Sequence, residues 1–368
     1  MRFIINREAL LKPLQLISGV VERRQTIPIL SNILMNCDQD HLILLGTNID
    51  VELSSYINLE KPCDSGMTTA SARKLIDICR SLPEGIDLEF QQQNHQLIVR
   101  SGLSRFNLAT LSAVDFPING KLSDEQTFSI TQKKFHKLLV GTSFAMAEQD
   151  VRYYLNGMLL ELKNESFKSV ATDGHRLALS TVLTQTPGDI KIILPRKAVF
   201  ELSKLLSDGG DDCIISINSN KISIKIDNYT LISKLISGQF PDYGRVIPNR
   251  MTKVVYLERD LLKQSLIRAA ILTNDRHKSV QFNLEQNLLC IITNNSEQEE
   301  AEEQIEVNYS DEPVSIVFNI QYLIDVINSL DSGLVKISLT DSDSSVRFEN
   351  TETYPELSAL YVIMPMRL

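Results

Sequence analysis

The chain has 368 residues, of which 43% are hydrophobic and 23% charged, and its net charge at neutral pH is −9. These values are typical of soluble globular domains, and the absence of any run of eighteen apolar residues argues against a membrane-spanning helix. The first ten residues, MRFIINREAL, lack the apolar core of a signal peptide, so we expect a cytoplasmic protein.

The cysteines are few and dispersed. No two of them form a CxxC pair, and no ligand spacing typical of zinc occurs. We therefore expect no metal site, and we expect reduced thiols that mostly fill the core. The five are Cys37, Cys63, Cys79, Cys213 and Cys290.

Each third of the chain begins with the same pattern. A short alternating strand, a polar turn and an amphipathic helix occur as FIINREALLKPLQLI from Phe3, FSITQKKFHKLLVGT from Phe128 and VYLERDLLKQSLIRAA from Val255. The spacing is about 125 residues, which is the usual size of one domain. The sequence therefore predicts three copies of one domain, at 1–122, 123–248 and 249–368.

Further anchors recur in the same order within each third. A strand ending in Thr-Asn or Thr-Asp appears as LILLGTN, SVATDG and LCIITNN, and a second helix begins near Ala72, Pro195 and Asn319. Ordered anchors at one period favour a tandem repeat over three unrelated α+β domains.

Strands outnumber helices in each predicted copy. In the first copy only two segments have helical periodicity, at 7–20 and 71–82, whereas several stretches alternate with period two. Pro13 predicts that the first helix begins late or kinks. We expect an α+β fold in which two helices back a β-sheet in each copy.

The predicted helices differ in charge from the rest of the chain. Five of the six helical segments are net positive, although the whole chain is acidic. Helices gathered on one surface would make it positive, and polyanion binding is the natural use of such a surface. Alternatively, lysine and arginine simply favour helices, but glutamate favours them equally. No helix-turn-helix, zinc-finger or RNP signature is present, so sequence-independent phosphate contacts are favoured.

Several longer motifs resemble one family. They are DVRYYLNGM at 150–158, VATDGHRLA at 170–178, LPRK at 194–197, FPDY at 240–243, EQEEAEE at 297–303 and YVIMPMRL at 361–368. In this order, and over its whole length, the chain resembles the bacterial sliding clamp, the β subunit of DNA polymerase III.

The resemblance implies three tandem DNA-clamp domains and a head-to-tail homodimer that closes a six-domain ring. Such a ring performs no catalysis and needs no cofactor. It would encircle duplex DNA in the bacterial cytoplasm, at the nucleoid, and tether the replicative polymerase subunit. The implied partners also include the clamp loader, repair polymerases, mismatch-repair proteins and ligase.

The family's DNA-contacting positions match residues in the first two copies. Tyr153 and Tyr154 could meet sugar or a base edge, or could instead be a half-buried pair in an interface. Glu22 departs from the small residues that the family often has there. The matching positions, with their basic neighbours Arg152 and Arg196, are Arg24, Arg73, Gln149, Arg152, Tyr153, Tyr154, Arg196 and Lys197.

The resemblance also implies a pocket between the second and third domains for a short peptide with a glutamine and bulky apolar residues. An apolar tail at a chain terminus must be docked to be ordered, and methionines adapt to several ligands. Met364 and Met366 could alternatively be edge-strand core. Gly244 departs from the basic residue that is frequent there. The matching positions are Leu155, Thr172, Gly174, His175, Arg176, Leu177, Pro241, Arg245, Val246, Ser345, Val362, Met364, Pro365, Met366 and Arg367.

The implied subunit interface pairs apolar and charged residues. An acidic run such as 297–306 is usually a solvated face, but it could meet Lys74 and Arg73 of a neighbour. Ile271 and Leu272 would provide the apolar anchor. The matching positions are Lys74, Phe106, Leu108, Ile271, Leu272, Glu297, Glu299, Glu300 and Glu303.

Two other classes of protein, a hydrolase and an acidic scaffold, explain less of the sequence. Asp173, His175 and Ser180 could suggest a hydrolase triad, but no nucleophile elbow or phosphate-binding glycine loop accompanies them. An acidic scaffold without a DNA role would leave the charge of the helices unexplained.

Overall fold

The computed structural model describes residues 1–22, 27–120, 122–206, 211–273, 278–352 and 357–367. Over these residues one order of elements occurs three times: strand, helix, four strands, helix, three strands. The predicted triplication of a unit with two helices and a β-sheet is therefore confirmed.

The bounds of the elements follow the chain. The first repeat contains β1 (Arg2–Asn6), α1 (Arg7–Ser18), β2 (Asn32–Asp38), β3 (His41–Thr47), β4 (Val51–Asn58), β5 (Gly66–Ser71), α2 (Ala72–Ser81), β6 (Asp87–Gln93), β7 (Gln96–Ser101) and β8 (Ser104–Ala109). The second contains β9 (Gln126–Thr131), α3 (Gln132–Ser143), β10 (Gly157–Lys163), β11 (Ser166–Thr172), β12 (Arg176–Leu183), β13 (Ile190–Pro195), α4 (Arg196–Leu205), β14 (Asp212–Ile217), β15 (Lys221–Ile226) and β16 (Tyr229–Lys234). The third contains β17 (Lys253–Glu258), α5 (Arg259–Ala269), β18 (Ser279–Glu285), β19 (Leu288–Asn294), β20 (Glu300–Glu306), β21 (Val314–Asn319), α6 (Ile320–Ser329), β22 (Leu334–Leu339), β23 (Val346–Asn350) and β24 (Leu357–Ile363).

Helix α1 illustrates how the local sequence sets an element. The Asn6 side chain accepts a hydrogen bond from the Glu8 N–H at 3.0 Å, which caps the first turn. Leu10, Leu14 and Ile17 are fully buried on one face. The expectation of a late start is wrong, because this cap begins the helix at Arg7 and the helix continues through the buried Pro13.

The first compact unit comprises Met1–Phe135 and Lys197–Leu235. It contains a four-stranded sheet in the order β1-β6-β7-β8 and an eight-stranded sheet in the order β5-β2-β3-β4-β16-β15-β14-β9. The eight-stranded sheet joins the first and second repeats, because β4 pairs with β16 through partners such as Leu53 and Leu231.

The second compact unit comprises His136–Arg196 and Ile236–Leu368. Its eight-stranded sheet runs β13-β10-β11-β12-β24-β23-β22-β17, and its four-stranded sheet runs β20-β19-β18-β21. Here β12 pairs with β24, so that Leu177 lies opposite Val362. The unit boundaries cut through the second repeat because each large sheet is shared by two repeats.

The cysteines differ from the expectation of reduced thiols. Cys37, near the end of β2, and Cys63, in the loop after β4, form a disulfide with their Cα atoms 6.7 Å apart. The fold brings these two residues within bridging distance, which their spacing in the sequence could not indicate. Cys79 and Cys213 are buried and unbridged, and burial raises their pKa values to about 11 and about 12.

Across the described ranges, no helix has the length and apolar character needed to cross a membrane.

Candidate DNA surface and partner pocket

Helices α1, α2 and α4 line an open basin in the first unit. The basin has a volume of about 890 Å³, and four cations line it: Arg73 and Arg80 from α2, and Lys197 and Lys204 from α4. We call this feature the basic basin. Arg73 and Lys197, two predicted DNA-contacting residues from different repeats, thus lie on one surface. Arg24, a third, lies outside the described residues.

Acidic side chains partly balance the basic basin. The Arg73 side chain is 90% exposed and lies 3.7 Å from the Asp77 carboxylate, an exposed pair that leaves the guanidinium accessible. Glu201 is buried, accepts hydrogen bonds from Lys204 Nζ at 2.9 and 3.0 Å, and lies 4.0 Å from Lys197 Nζ. This carboxylate therefore lowers the positive potential along α4.

The remaining predicted DNA contacts belong to the second unit. Gln149, with a positive φ of 57°, and Tyr153 are both exposed. Arg196 donates a hydrogen bond to the Met146 carbonyl at 2.9 Å and so supports the segment that leads to Gln149. Tyr154 is half-buried and packs on an apolar cluster of its own chain, which is described below.

Arg152 is held beside the predicted pocket. Its guanidinium binds both carboxylate oxygens of Asp150, at 3.0 and 2.9 Å, and this hydrogen bonding lowers the pKa of Asp150 to about 2. The same guanidinium lies 3.4 Å from the Asp173 carbonyl oxygen. A Cβ atom on Gly174 would lie 3.1 Å from Arg152 Nη2, and Gly174 has a φ of 92°, so this position favours glycine.

Residues 172–176 form a tight turn. Asp173 Oδ1 accepts the N–H groups of His175 and Arg176 at 2.9 and 3.0 Å, while the Thr172 hydroxyl donates to the Arg176 carbonyl at 2.6 Å. An aspartate that accepts backbone N–H groups two and three residues ahead stabilises such a turn. The turn leaves the His175 side chain exposed.

The end of the chain docks on this turn. The Met364 N–H donates to the His175 carbonyl at 2.9 Å, and the Met366 N–H donates to the Val317 carbonyl of β21 at 2.7 Å. Met364 and Met366 follow β24, which has neighbours on both sides, so the edge-strand alternative for these residues is wrong. Met364 is 37% exposed, and Pro365 and Arg367 continue the tail along the surface.

An apolar cluster lies beside the tail. Its buried members include Leu177 and Val362, two predicted pocket residues, and a third predicted residue, Val246, packs against it. The predicted residues Pro241 and Arg245 are exposed near it in sequence, Ser345 is half-buried before β23, and Leu155 is buried without belonging to the cluster. The sequence interpretation missed the other members of the cluster, although two of them, Phe240 and Tyr243, belong to the FPDY motif. The missed members are Leu159, Val170, Ile193, Leu179, Ile236, Phe240, Tyr243, Ile247 and Leu360.

Tyr243 anchors the segment that covers the cluster. Its hydroxyl donates to Glu161 Oε2 at 2.5 Å, and Lys191 Nζ lies 3.0 Å from the other oxygen. Burial opposes the charge on Glu161, but the Tyr243 and Lys191 hydrogen bonds outweigh it and lower the pKa of Glu161. Burial and the same carboxylate raise the pKa of Tyr243.

Some of the predicted interface residues lie on edge strands of the four-stranded sheets, and the others lie on a helix or in turns. Phe106 and Leu108 belong to the edge strand β8 of the first unit, where Lys74 is exposed on α2. In the second unit Glu300 and Glu303 belong to the edge strand β20, and Ile271, 75% exposed, precedes the half-buried Leu272. Glu297 and Glu299 are exposed in the turn before β20.

Glu303, one acid of this run, is paired with a cation of its own chain, whereas Glu299 accepts a hydrogen bond from the uncharged Asn295 side chain at 2.6 Å. Arg268 binds both oxygens of Glu303, at 2.7 and 2.5 Å, and this contact lowers the pKa of Glu303. Glu297, Glu299 and Glu300 are therefore the stronger candidates for a cation on another subunit.

The geometry does not assemble the triad that Asp173, His175 and Ser180 suggested. Both oxygens of Asp173 serve the turn, one on backbone N–H groups and one on the Arg176 side chain at 3.0 Å. Ser180 is buried within β12, four residues beyond Arg176. In the part of the chain that the structure describes, no cluster of histidine, cysteine and acidic residues could hold a metal ion.

Comparison with known proteins identifies the family of the chain. Models of the DNA polymerase III beta subunit match the chain at residues 1–120 for the N-terminal domain, 129–242 for the central domain and 244–367 for the C-terminal domain. The chain is 45% identical to the beta sliding clamps of Proteus mirabilis and Escherichia coli K12, with 100% of each chain covered.

Solved structures give the same result. The griselimycin-bound sliding clamp of Pseudomonas aeruginosa is 44% identical over 100% of both chains, with a TM-score of 0.94. The Caulobacter crescentus clamp is 34% identical, with 100% of this chain and 99% of that one covered and a TM-score of 0.91. The chain therefore belongs to the DNA polymerase III beta subunit family, the sliding clamps, which are non-catalytic processivity factors of DNA replication.

Proposed function

We propose that two copies of this chain form a head-to-tail ring that encloses duplex DNA and slides along it. The support for the ring is that β8 in the first unit and β20 in the second are edge strands of their four-stranded sheets, and that both carry predicted interface residues. A contact between unlike edges is heterologous, and such contacts close into a ring when the rotation permits. Ile271 and Leu272 would anchor each contact, and the acids 297–300 would meet Lys74 of the neighbour.

The basic basin is the observation that carries the DNA proposal. Arg73, Arg80, Lys197 and Lys204 line one open surface, where they would contact phosphates without reading bases. Gln149, Arg152, Tyr153, Tyr154, Arg196 and Arg24 remain predicted contacts. Since a closed ring retains DNA by topology, weak and salt-dependent contacts suffice, and they allow sliding.

The tail, the turn and the apolar cluster support a peptide pocket in the second unit. We propose that it takes a short segment with a glutamine and bulky apolar residues from the replicative polymerase. The clamp loader, repair polymerases, mismatch-repair proteins and ligase would present the same kind of segment. An exposed methionine beside a buried apolar cluster suits one site shared by several partners.

Two further predictions, on the domain boundaries and on the location in the cell, accompany this proposal. We retain 1–122, 123–248 and 249–368 as the domain boundaries, and we expect the protein to act in the bacterial cytoplasm at the nucleoid. Fluorescence imaging of a tagged chain would test the location, because a clamp should colocalise with replicating DNA.

The decisive experiment compares closed circular DNA with the same DNA after linearisation, each loaded by a clamp loader with ATP. A topological ring stays on circles and runs off linear ends. The matched control is a chain with Ile271→Ala and Leu272→Ala, which should fail to stay on circles. Equal retention on circular and linear DNA would mean ordinary surface binding and would overturn the ring.

A further inference from the structure

The guanidinium of Arg176 contacts several groups of its own chain. It donates to Asp173 Oδ2 at 3.0 Å, to Asp325 Oδ2 at 2.5 Å and to the Phe144 carbonyl at 2.5 Å. The guanidinium carbon also lies 4.3 Å from the centre of the Tyr322 ring. Three charge-assisted hydrogen bonds and a cation–π contact fix this group in one position.

These partners come from two repeats. Asp173 and Arg176 belong to the turn 172–176 of the second repeat, whereas Asp325 and Tyr322 belong to α6 of the third. Asp325 is itself held, because Gln321 donates to its second carboxylate oxygen at 2.9 Å. The contact therefore joins helix α6 to the turn across 149 residues of sequence.

The same turn seats the end of the chain. The residue before Arg176, His175, accepts the Met364 N–H through its carbonyl. A displacement of the turn would therefore move the exposed His175 and the tail together. The positions of the turn and of the tail therefore depend on the contacts that hold Arg176.

Burial makes this ion pair sensitive to the loss of one partner. The side chains of Arg176, Asp173 and Asp325 are 11%, 16% and 23% exposed. Removing one carboxylate from such a set leaves a buried cation with an unmet hydrogen bond, which is strongly unfavourable. The turn would then relax to find other partners for the guanidinium.

We propose that Arg176 and Asp325 form a clasp that positions the turn 172–176 for peptide binding. Arg176 acts through its own backbone and does not contact the peptide with its side chain. Asp325 is a positioning residue of the pocket, although it lies on α6 and belongs to neither the turn nor the apolar cluster. The inference rests on the proposed peptide-binding function of the pocket.

The chain offers a matched control for Asp325. Asp331 also pairs across the two repeats, with Lys137 Nζ of α3 at 3.0 Å, but these side chains are 51% and 38% exposed and do not involve the turn. Asp325→Asn and Asp331→Asn thus make the same chemical change in the same repeat. Only Asp325→Asn removes a negative charge that is paired with Arg176.

The test measures binding of a fluorescently labelled peptide with one glutamine, a leucine and a phenylalanine to the full-length dimer. We expect Asp325→Asn to weaken binding about tenfold, as the loss of about 1.4 kcal/mol would. Asp331→Asn should change it less than twofold. Hydrogen exchange of the Met364 amide should accelerate in Asp325→Asn and not in Asp331→Asn, a local change that general destabilisation would not produce.

Arg176→Lys provides a second route if Asp325→Asn folds poorly. Lysine keeps the charge but cannot reach three acceptors with a planar fork, so it should weaken peptide binding as well. The double variant should lose little more than either single variant, because both remove one clasp. Equal affinity of Asp325→Asn and wild type, or equal losses in Asp325→Asn and Asp331→Asn, would overturn the clasp. Failure of the wild type to bind the probe would instead refute the pocket.

Discussion

The hydroxyl of Tyr243 and the carboxylate of Glu161 are joined by a 2.5 Å hydrogen bond beneath the segment that covers the apolar cluster. Glu161 lies on β10, and Lys191 lies directly opposite it on β13. The cover of the candidate pocket is therefore attached to a buried carboxylate in the sheet, which is itself paired with the exposed Lys191, in addition to its apolar contacts.

Tyr243→Phe should destabilise this cover without removing the ring. A hydrogen bond to a charged, buried group typically contributes about 1.5–3 kcal/mol, so the free energy of unfolding should fall by about that amount. Peptide affinity should fall as well. Urea unfolding and a labelled-peptide titration would measure both effects, with Tyr256→Phe, a half-exposed tyrosine on β17, as the control. If the two variants behave alike, the hydrogen bond does not anchor the cover.

Ile271→Ala combined with Leu272→Ala should produce monomers. The two side chains are the proposed apolar centre of each contact, and such centres provide much of the affinity of an interface. Light scattering coupled to size exclusion would report the mass. Ile267→Ala, an exposed residue on α5 outside the predicted interface, should leave the dimer intact. A dimer that persists in the double variant would place the interface elsewhere.

Glu201→Gln should strengthen DNA binding by the basic basin. The substitution removes the carboxylate that Lys204 and Lys197 approach, so both ammonium groups become better able to meet phosphates. The salt dependence of binding should become steeper. Lys197→Glu should make it shallower, by about one unit of slope for each phosphate that the protein no longer neutralises.

Glu84→Gln makes the same change in net charge outside the basic basin and provides the control for Glu201→Gln. Fluorescence anisotropy with short duplex DNA over a range of salt concentrations gives the slopes. Identical slopes for wild type, Glu201→Gln and Lys197→Glu would contradict the proposed DNA surface.

Acid should remove the contribution of Asp150 to stability. The Arg152 hydrogen bond lowers the pKa of this carboxyl from 3.8 to about 2 in the folded chain. A lowered pKa in the folded state stabilises the fold above the unfolded pKa, and this stabilisation disappears as the pH falls towards 2. Asp150→Asn should therefore have a lower Tm than wild type at pH 6, and the difference should shrink as the pH falls below 3.8 and through about 2. A Tm difference that does not change with pH would refute the assignment.

The three repeats could be predicted from the sequence because each one contains the same local pattern of apolar and polar residues. The strand and helix that begin at Phe3 recur at Phe128 and Val255, and hydrophobic periodicity is a short-range signal. The pairing of β4 with β16 and of β12 with β24 could not be predicted, because no local pattern specifies which repeat completes a sheet. The Cys37–Cys63 bridge depends on the same long-range geometry.

For a similar reason, only some residues of the candidate site could be predicted from the sequence. Motif residues such as Leu177, Val246 and Val362 were found through the resemblance and do meet in one cluster. The roles of Tyr243 and Asp325 depend on which distant carboxylate or guanidinium each one meets, and sequence spacing carries no such information. Arg176 was predicted as a pocket residue, yet its side chain binds α6.

The sharing of β12 and β24 has a consequence for synthesis of the chain. Since translation proceeds from the N-terminus, β12 emerges early but lacks its neighbour until Leu357–Ile363 has left the ribosome. Until then a strand that is central in the finished sheet is an open edge, and such edges recruit other strands. Premature termination before β24 should therefore yield insoluble protein, and not merely a clamp without its pocket.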